Sequence, residues 1–475
     1  MFIGGLSGVL RELRGPFGVC RVCLSTLFGA YRMDAAESPV DAGPDVIVPD
    51  PTADLPSPEA GGDGGTGRKE LTAAEVLELI RAGKDVYNVR VHRLAFRGEF
   101  PGPVRFKNCT LIQPQFHKAT FLDDVAFVGC TLDRPSFRGR VTFEKGFDLG
   151  GSAVAKGTVA GLVVRGKFSA AFAEFRTKGV FGDCVFAGLA SFWEAKFSGW
   201  ADFKNCTFEA DADFRSMHCD QGINFTRCVF HQAFLFRGAN VEKKFDAGDS
   251  QFLGLVDLSK AKLHDFAYLE GIKQGPGQTF AFLNAVAERI RVRPEQLKGR
   301  LASENAGQFD DAMQEYGLLK RCYNALHRFD QEDWAFYRFK VAQRRCRVTT
   351  WKRPWTVWRQ AGDYLFLDIG CGYGTNPLRA VRMAAVIILA FAAVYAANVN
   401  LFYTDKLPFS EEPRDGVANS LAIGLITSVS VFTSGMGGIR EVAKGWMNAP
   451  VMVESIMGTL LFGLFIVAFS RKVIR

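Results

Sequence analysis

The residues whose types and spacing could do chemistry lie near the C-terminal end, where Thr433, Ser434, Gly435, Met436, Gly437 and Gly438 form a Thr-x-Gly-x-Gly run. Glycine at alternate positions lets successive backbone carbonyls turn the same way, because no side chain bars the conformations this requires. Carbonyls stacked in that manner replace the water around a cation, and four such loops close a ring. The chemistry on offer is ion coordination, with no bond made or broken. The expected cation contacts are the carbonyls of Thr433, Ser434, Gly435 and Met436.

Other groupings offer less. Leu367 to Tyr373 reads L-D-I-G-C-G-Y and is followed by Gly374, a loop of the kind that cradles nucleotides, but no βαβ unit surrounds it and an apolar run follows almost at once. Cys20 and Cys23 form a C-x-x-C pair without the second pair a zinc site needs. His117, His218, His231 and His264 are scattered without metal-ligand spacing. No paired carboxylates, Ser/His/Asp set or phosphate loop stands out, so no enzyme, no organic cofactor and no resident metal are expected.

The elements around the Thr-x-Gly-x-Gly run explain how it would be held. Met383 to Tyr403 is an uncharged apolar stretch, and Val451 to Ser470 is a second with only Glu454 inside it. Each is long enough to span about 30 Å of hydrocarbon at about 1.5 Å per residue. Between them Leu421 to Phe432 is apolar but only about a dozen residues, the length of a re-entrant helix, with Asn419 and Ser420 placed to cap its start. Such a helix would aim its negative C-terminal end at a cation. In this order the elements resemble the pore module of two-span potassium channels. Thr433, Gly435 and Gly437 match that family's T-V-G-Y-G-D filter, whereas Ser434, Met436 and Gly438 replace its Val, Tyr and Asp. Glu454, Gly458 and Gly463 resemble its inner helix, where a glycine permits bending, which makes Gly458 and Gly463 hinge candidates. The resemblance implies a homotetramer conducting a monovalent cation, potassium first.

Charge orients this module. The chain has 58 basic and 50 acidic residues, and its net charge of +8 is matched by the surplus between Arg338 and Arg382 alone. That basic stretch precedes the first span, and Arg471, Lys472 and Arg475 follow the second, so both termini are expected in the cytoplasm. A surplus confined to a membrane face argues against a nucleic-acid partner and for membrane lipid.

Phenylalanine is the other compositional excess, with Phe 43 against Tyr 10 and Trp 7. Phe181, Phe192, Phe203, Phe214, Phe225 and Phe236 recur every eleven residues, and Phe186, Phe197, Phe208, Cys219, Phe230 and Val241 follow five behind. Two residues before the bulky position stands mostly a small one, such as Gly179, Cys184, Ala190, Ala201 or Cys206. A period near 5.5 fits neither helix nor strand alternation and means stacked coils. The pattern resembles the Phe-rich branch of the pentapeptide-repeat family over residues 95–270. That resemblance implies a right-handed quadrilateral parallel β-helix with Phe stacked inside, of about eight coils at about 4.8 Å each. Leu149 to Lys167 breaks the period, and a bulge or loop is expected there.

The remaining segments complete the expected organisation. Residues 1–70 are a disordered N-terminal segment, and residues 71–94 hold a capping helix opened by the Thr72 and Glu75 capping box and ended near Gly83. After the β-helix come an α-helical linker over 271–350, with Ala312, Tyr316, Leu319 and Tyr323 on one face, a basic juxtamembrane segment over 351–382 and the two-span α-helical pore module over 383–475. The functional expectation is a tetrameric cation channel whose β-helix is a cytoplasmic sensor or assembly domain. The alternative is a non-conducting, membrane-anchored scaffold.

Overall fold

The computed structural model describes residues 68–347, 354–402, 417–434 and 443–474. Of the expected disordered segment 1–70, residues 1–67 lie outside the described residues, as do the Cys20 and Cys23 pair and Gly435 to Gly438, whereas its end is ordered, because Lys69–Leu71 is a strand paired with Val89–Val91.

From Lys69–Leu71 to Val286–Arg291 the chain winds into a solenoid whose paired strands are all parallel. One ladder of ten strands, from Val86–Tyr87 to Thr279–Ala281, takes one strand from each turn, so the solenoid has about ten turns. It is longer than the residue 95–270 stretch and its eight coils. The added turns are filled by Val86, Val89 and Val91 at one end and Phe280, Phe282 and Ile290 at the other, all buried but outside the Phe-and-small-residue pattern.

Helix α1, Ala73–Arg81, starts at the expected capping box: the Thr72 hydroxyl accepts from Glu75 N–H and the Glu75 carboxylate accepts from Thr72 N–H at 2.8 Å. Its buried Val76 and Ile80 cover the open end of the first turn. The rest of the expected 71–94 cap is not helical, because Val89–His92 already pairs with Lys69–Leu71 as solenoid strand.

The register explains the eleven-residue spacing. Phe181 pairs with Phe203 and Phe203 with Phe225, so in these middle coils a full turn is 22 residues and the eleven-residue unit is half of one. The rings of these three stack face to face at 4.9 and 5.1 Å, close to the distance between neighbouring strands of a sheet. Small residues are required beside them. A Cβ on Gly179 would come within 2.5 Å of the Phe197 ring. Asp183, Glu194, Asn205, Ser216 and Arg227, again eleven apart, each turn the chain with φ of 52 to 55°, a conformation that Asn and Asp tolerate best.

No loop interrupts the stretch from Leu149 to Lys167. Strands Ala153–Ala155, Thr158–Ala160 and Leu162–Val164 carry the ladders through, and Val164 sits in register between Phe143 and Phe186. Valine takes over the interior position, so the residue type changes while the coil persists. Val141 pairs with Leu162, a 21-residue turn like the earlier one that pairs Val104 with Val125.

The coil continues through Arg291, so the helices begin later than residue 271. Short helices α2, Pro294–Leu297, and α3, Ala302–Asn305, lead to a helical hairpin of α4, Phe309–Ala325, and α5, Phe329–Cys346. Ala312, Tyr316, Leu319 and Tyr323 of α4 are fully buried against the last turn. Tyr323 Oη donates to Val292 O at 3.0 Å, and the Glu315 carboxylate accepts from Phe282 N–H at 2.6 Å and from the Ser303 hydroxyl. The hairpin thus satisfies a backbone donor, Phe282 N–H, and a backbone acceptor, Val292 O, that a bare solenoid edge would leave open. Beyond it follow α6, Pro354–Gly362, a π-helical stretch Asp363–Gly370, a tight turn at Gly372–Gly374, and helices α7, Pro377–Ala396, α8, Val417–Ser434, and α9, Asn448–Val473.

Candidate functional site

Two of these helical segments are long and apolar enough to cross a membrane: Pro377–Ala397, with mean hydropathy 2.2, and Gly445–Val473, with 2.1. Only 22% and 33% of their most apolar windows are buried within the chain. The first begins ahead of the uncharged run, because Pro377 sits in its first turn and the Asn376 side chain accepts from Leu378 N–H at 3.0 Å. Arg379 and Arg382 are therefore helical.

Helix α8 is 18 residues long rather than a dozen. It starts at Val417, which puts Asn419 and Ser420 inside its first turn instead of at its cap, and it runs through Ser434. Thr433 belongs to its last turn, where the hydroxyl donates back to Val429 O at 2.7 Å. Of the six residues expected to form the filter, Thr433 and Ser434 are thus the end of a helix, and Gly435, Met436, Gly437 and Gly438 lie outside the described residues.

Two glycines and one carboxylate bind α8 to its neighbours. A Cβ on Gly424 would lie 2.5 Å from Ala392 O of α7, and a Cβ on Gly458 would lie 2.4 Å from Phe432 O of α8. Gly458 is therefore where α9 closes on α8, whereas a Cβ on Gly463 would meet nothing within 4 Å. Glu454 of α9, fully buried, accepts from Tyr395 Oη of α7 at 2.6 Å and from the Ser428 hydroxyl of α8. A buried carboxylate persists only with such partners. At the far end Lys444 N–H donates to Leu401 O at 2.7 Å, joining the short turn Val399–Leu401 that follows α7 to the segment that opens α9.

At the other end the helices meet α5. Asp368 of the π-helical stretch accepts from Tyr337 Oη at 2.7 Å and pairs with Arg344 at 2.6 Å, both from α5. Arg379 of α7 donates to Asp368 O at 3.3 Å and lies over the Tyr337 ring. The L-D-I-G-C-G-Y residues therefore form a joint between α5 and α7, with a π-helical stretch and not a strand leading into the glycines. Gly372, Tyr373 and Gly374 turn it with φ of 55, 54 and 78°. The end of α9 is tied to the same helix: Arg471 pairs with Asp333 at 3.0 Å and Glu332 at 3.5 Å, and Lys472 with Asp330 at 3.3 Å.

Sequence reasoning reads Arg471 and Lys472 as orientation signals and overlooks their partners. The available signal was the acidic trio Asp330, Glu332 and Asp333 opening α5 just ahead of a strongly basic stretch. Asp368 is one of only two carboxylates between Arg338 and Arg382 and could have been singled out for that reason. Among the described residues no group of three His, Cys, Asp or Glu side chains could hold a metal ion. Compared with known proteins, the chain matches no family model, no curated protein and no solved structure.

Proposed function

We propose that the chain is one subunit of a homotetrameric, potassium-like cation channel. In this reading α7 and α9 are the membrane spans, α8 is the pore helix and Thr433 to Gly438 form the filter. The solenoid is a pentapeptide-repeat domain, right-handed and four-sided, that serves in the cytoplasm as sensor or assembly ring. The observation that carries the reading is the placement of α8, wedged between α7 and α9 by Gly424, Gly458 and Glu454 and ending on the Thr-x-Gly-x-Gly run. Its C-terminal end brings partial negative charge to that run.

Three further features support it. The low burial of both apolar helices is unlike that of core helices in a soluble domain. Both α7 and α9 attach to α5 at one end, as a pair of spans with both termini on one side must. Leu421, Leu425 and Val429 form an exposed stripe at four-residue intervals on α8, which a neighbouring subunit of a ring would cover. The mass of the purified chain in neutral detergent tests the assembly: native mass spectrometry should give four copies of the 52.4 kDa chain. A monomer or dimer would overturn the reading, because fewer than four loops leave the coordination ring open.

A further inference from the structure

A cavity of about 280 Å³ opens where α5, α6, the π-helical stretch and the end of α9 converge. Lys340, Arg344 and Arg347 of α5 and Arg359 of α6 supply its basic wall, and Leu464 and Val467 of α9 an apolar one. Two of the four cations are already engaged, Arg344 with Asp368 and Arg347 with Asp363. The other two have no carboxylate partner among the described residues: Lys340 donates to Gln343 Oε1 at 3.0 Å and lies over the Phe336 and Phe339 rings, and Arg359 is exposed. Burial first, and then the charges of Arg347 and Lys320, push the Lys340 ammonium below its usual range. The cavity therefore holds uncompensated positive charge.

Its position adds a second observation. Val467 stands four residues before Arg471, about 6 Å along the helix axis, on the apolar side of the residue that marks the membrane face. Trp355 and Trp358 on α6, the helix that carries Arg359, are 78% and 73% exposed. Indole rings in that position sit at the level of lipid headgroups.

We propose that this cavity binds the phosphate headgroup of an anionic phospholipid from the inner leaflet, with Lys340 and Arg359 on the phosphate and an acyl chain along Leu464 and Val467. The proposal rests on the reading of α9 as a membrane span. Free phosphate shares the headgroup's chemistry, but it would leave the apolar wall unused. Because Arg344 and Arg347 of the same wall belong to the α5 joint, a bound lipid would lie beside the contacts that link the solenoid to both spans.

The test titrates the purified full chain in neutral detergent with dioctanoyl phosphatidic acid, dioctanoyl phosphatidylcholine and inorganic phosphate, read by tryptophan emission. Phosphatidic acid should saturate with an affinity at least tenfold above the other two. The Lys340→Gln/Arg359→Gln double variant should lose about tenfold of it, while Lys196→Gln on the solenoid should keep it. Equal binding of phosphatidylcholine, equal binding of free phosphate, or unchanged affinity in the double variant would overturn the lipid site. Flotation of the same proteins with liposomes separates this from the membrane reading: wild type and double variant should both float, and a wild-type chain left in the soluble fraction would refute the spans themselves. Should the double variant misfold, Arg359→Gln alone should still weaken phosphatidic acid severalfold, and an unchanged affinity there would equally contradict the site.

Discussion

At Phe203 both ring faces are covered by other rings, Phe181 at 4.9 Å and Phe225 at 5.1 Å, while Phe192 and Phe214 meet it edge-on at 5.3 and 5.5 Å. Truncation there removes contacts from two neighbouring turns, and a closely stacked solenoid has little freedom to collapse into the space. Phe203→Ala should cost about 3–5 kcal/mol in urea unfolding followed by circular dichroism. Phe203→Leu should cost clearly less, and equal losses would contradict the stacking account. Glu315 offers a pH test. Burial is the main cause that holds its carboxyl above the ordinary carboxylate range, against the opposing bonds from Ser303 and Phe282. The folded chain then binds this proton more tightly than the unfolded chain. Its contribution to stability is fully present in acid and is lost as pH rises through the folded value. Glu315→Gln should therefore be more stable than wild type at neutral pH, with the gap closing as pH falls through the carboxylate range. A gap that widens in acid would reverse the sign. At this scale Phe and the small residues are legible because their period is regular. The partners of Glu315, Asp368 and Glu454 are not, since nothing local in sequence announces Phe282, Arg344 or Tyr395.

Elements are legible where periodicity is strong and obscure where it changes type. The Phe columns mark the middle turns, but the Val154, Val159 and Val164 stretch keeps the coil with a different residue and so reads as a break. The length of α8 was hidden for another reason. Asn419 and Ser420 resemble a helix start, yet the helix already runs from Val417, two residues before them. Glycines on α9 show how one residue type can do two things. Gly458 admits the Phe432 carbonyl of α8, whereas Gly463 faces open space. Gly458→Val should force α8 and α9 apart and lower the thermal midpoint of the detergent-purified assembly by several degrees. Gly463→Ala should change that midpoint by a degree or less. If both variants melt with wild type, the close approach at Gly458 does not hold the helices together.

For the whole molecule, composition separates a phenylalanine-rich solenoid from a basic, apolar C-terminal part, and the described residues place those parts in sequence order. What composition does not reveal is how they are joined. The solenoid ends on α4, α4 folds back on α5, and α5 holds Asp368, Arg379 and Arg471, so strain at one part has a path of direct contacts to the ends of α7 and α9. These are long-range pairs, and their charges read as solvated or as orientation signals until the fold brings them together. Conduction through Thr433 to Gly438 is what the proposed function requires. The most direct measurement is potassium-driven flux through liposomes reconstituted with wild type and with Gly435→Asp, matched for protein content. Wild type should conduct and Gly435→Asp should lose most of the flux, because the side chain disturbs the carbonyl ring. No flux from wild type, or equal flux from both, would contradict the account; the former would leave the spans as the anchor of a non-conducting scaffold.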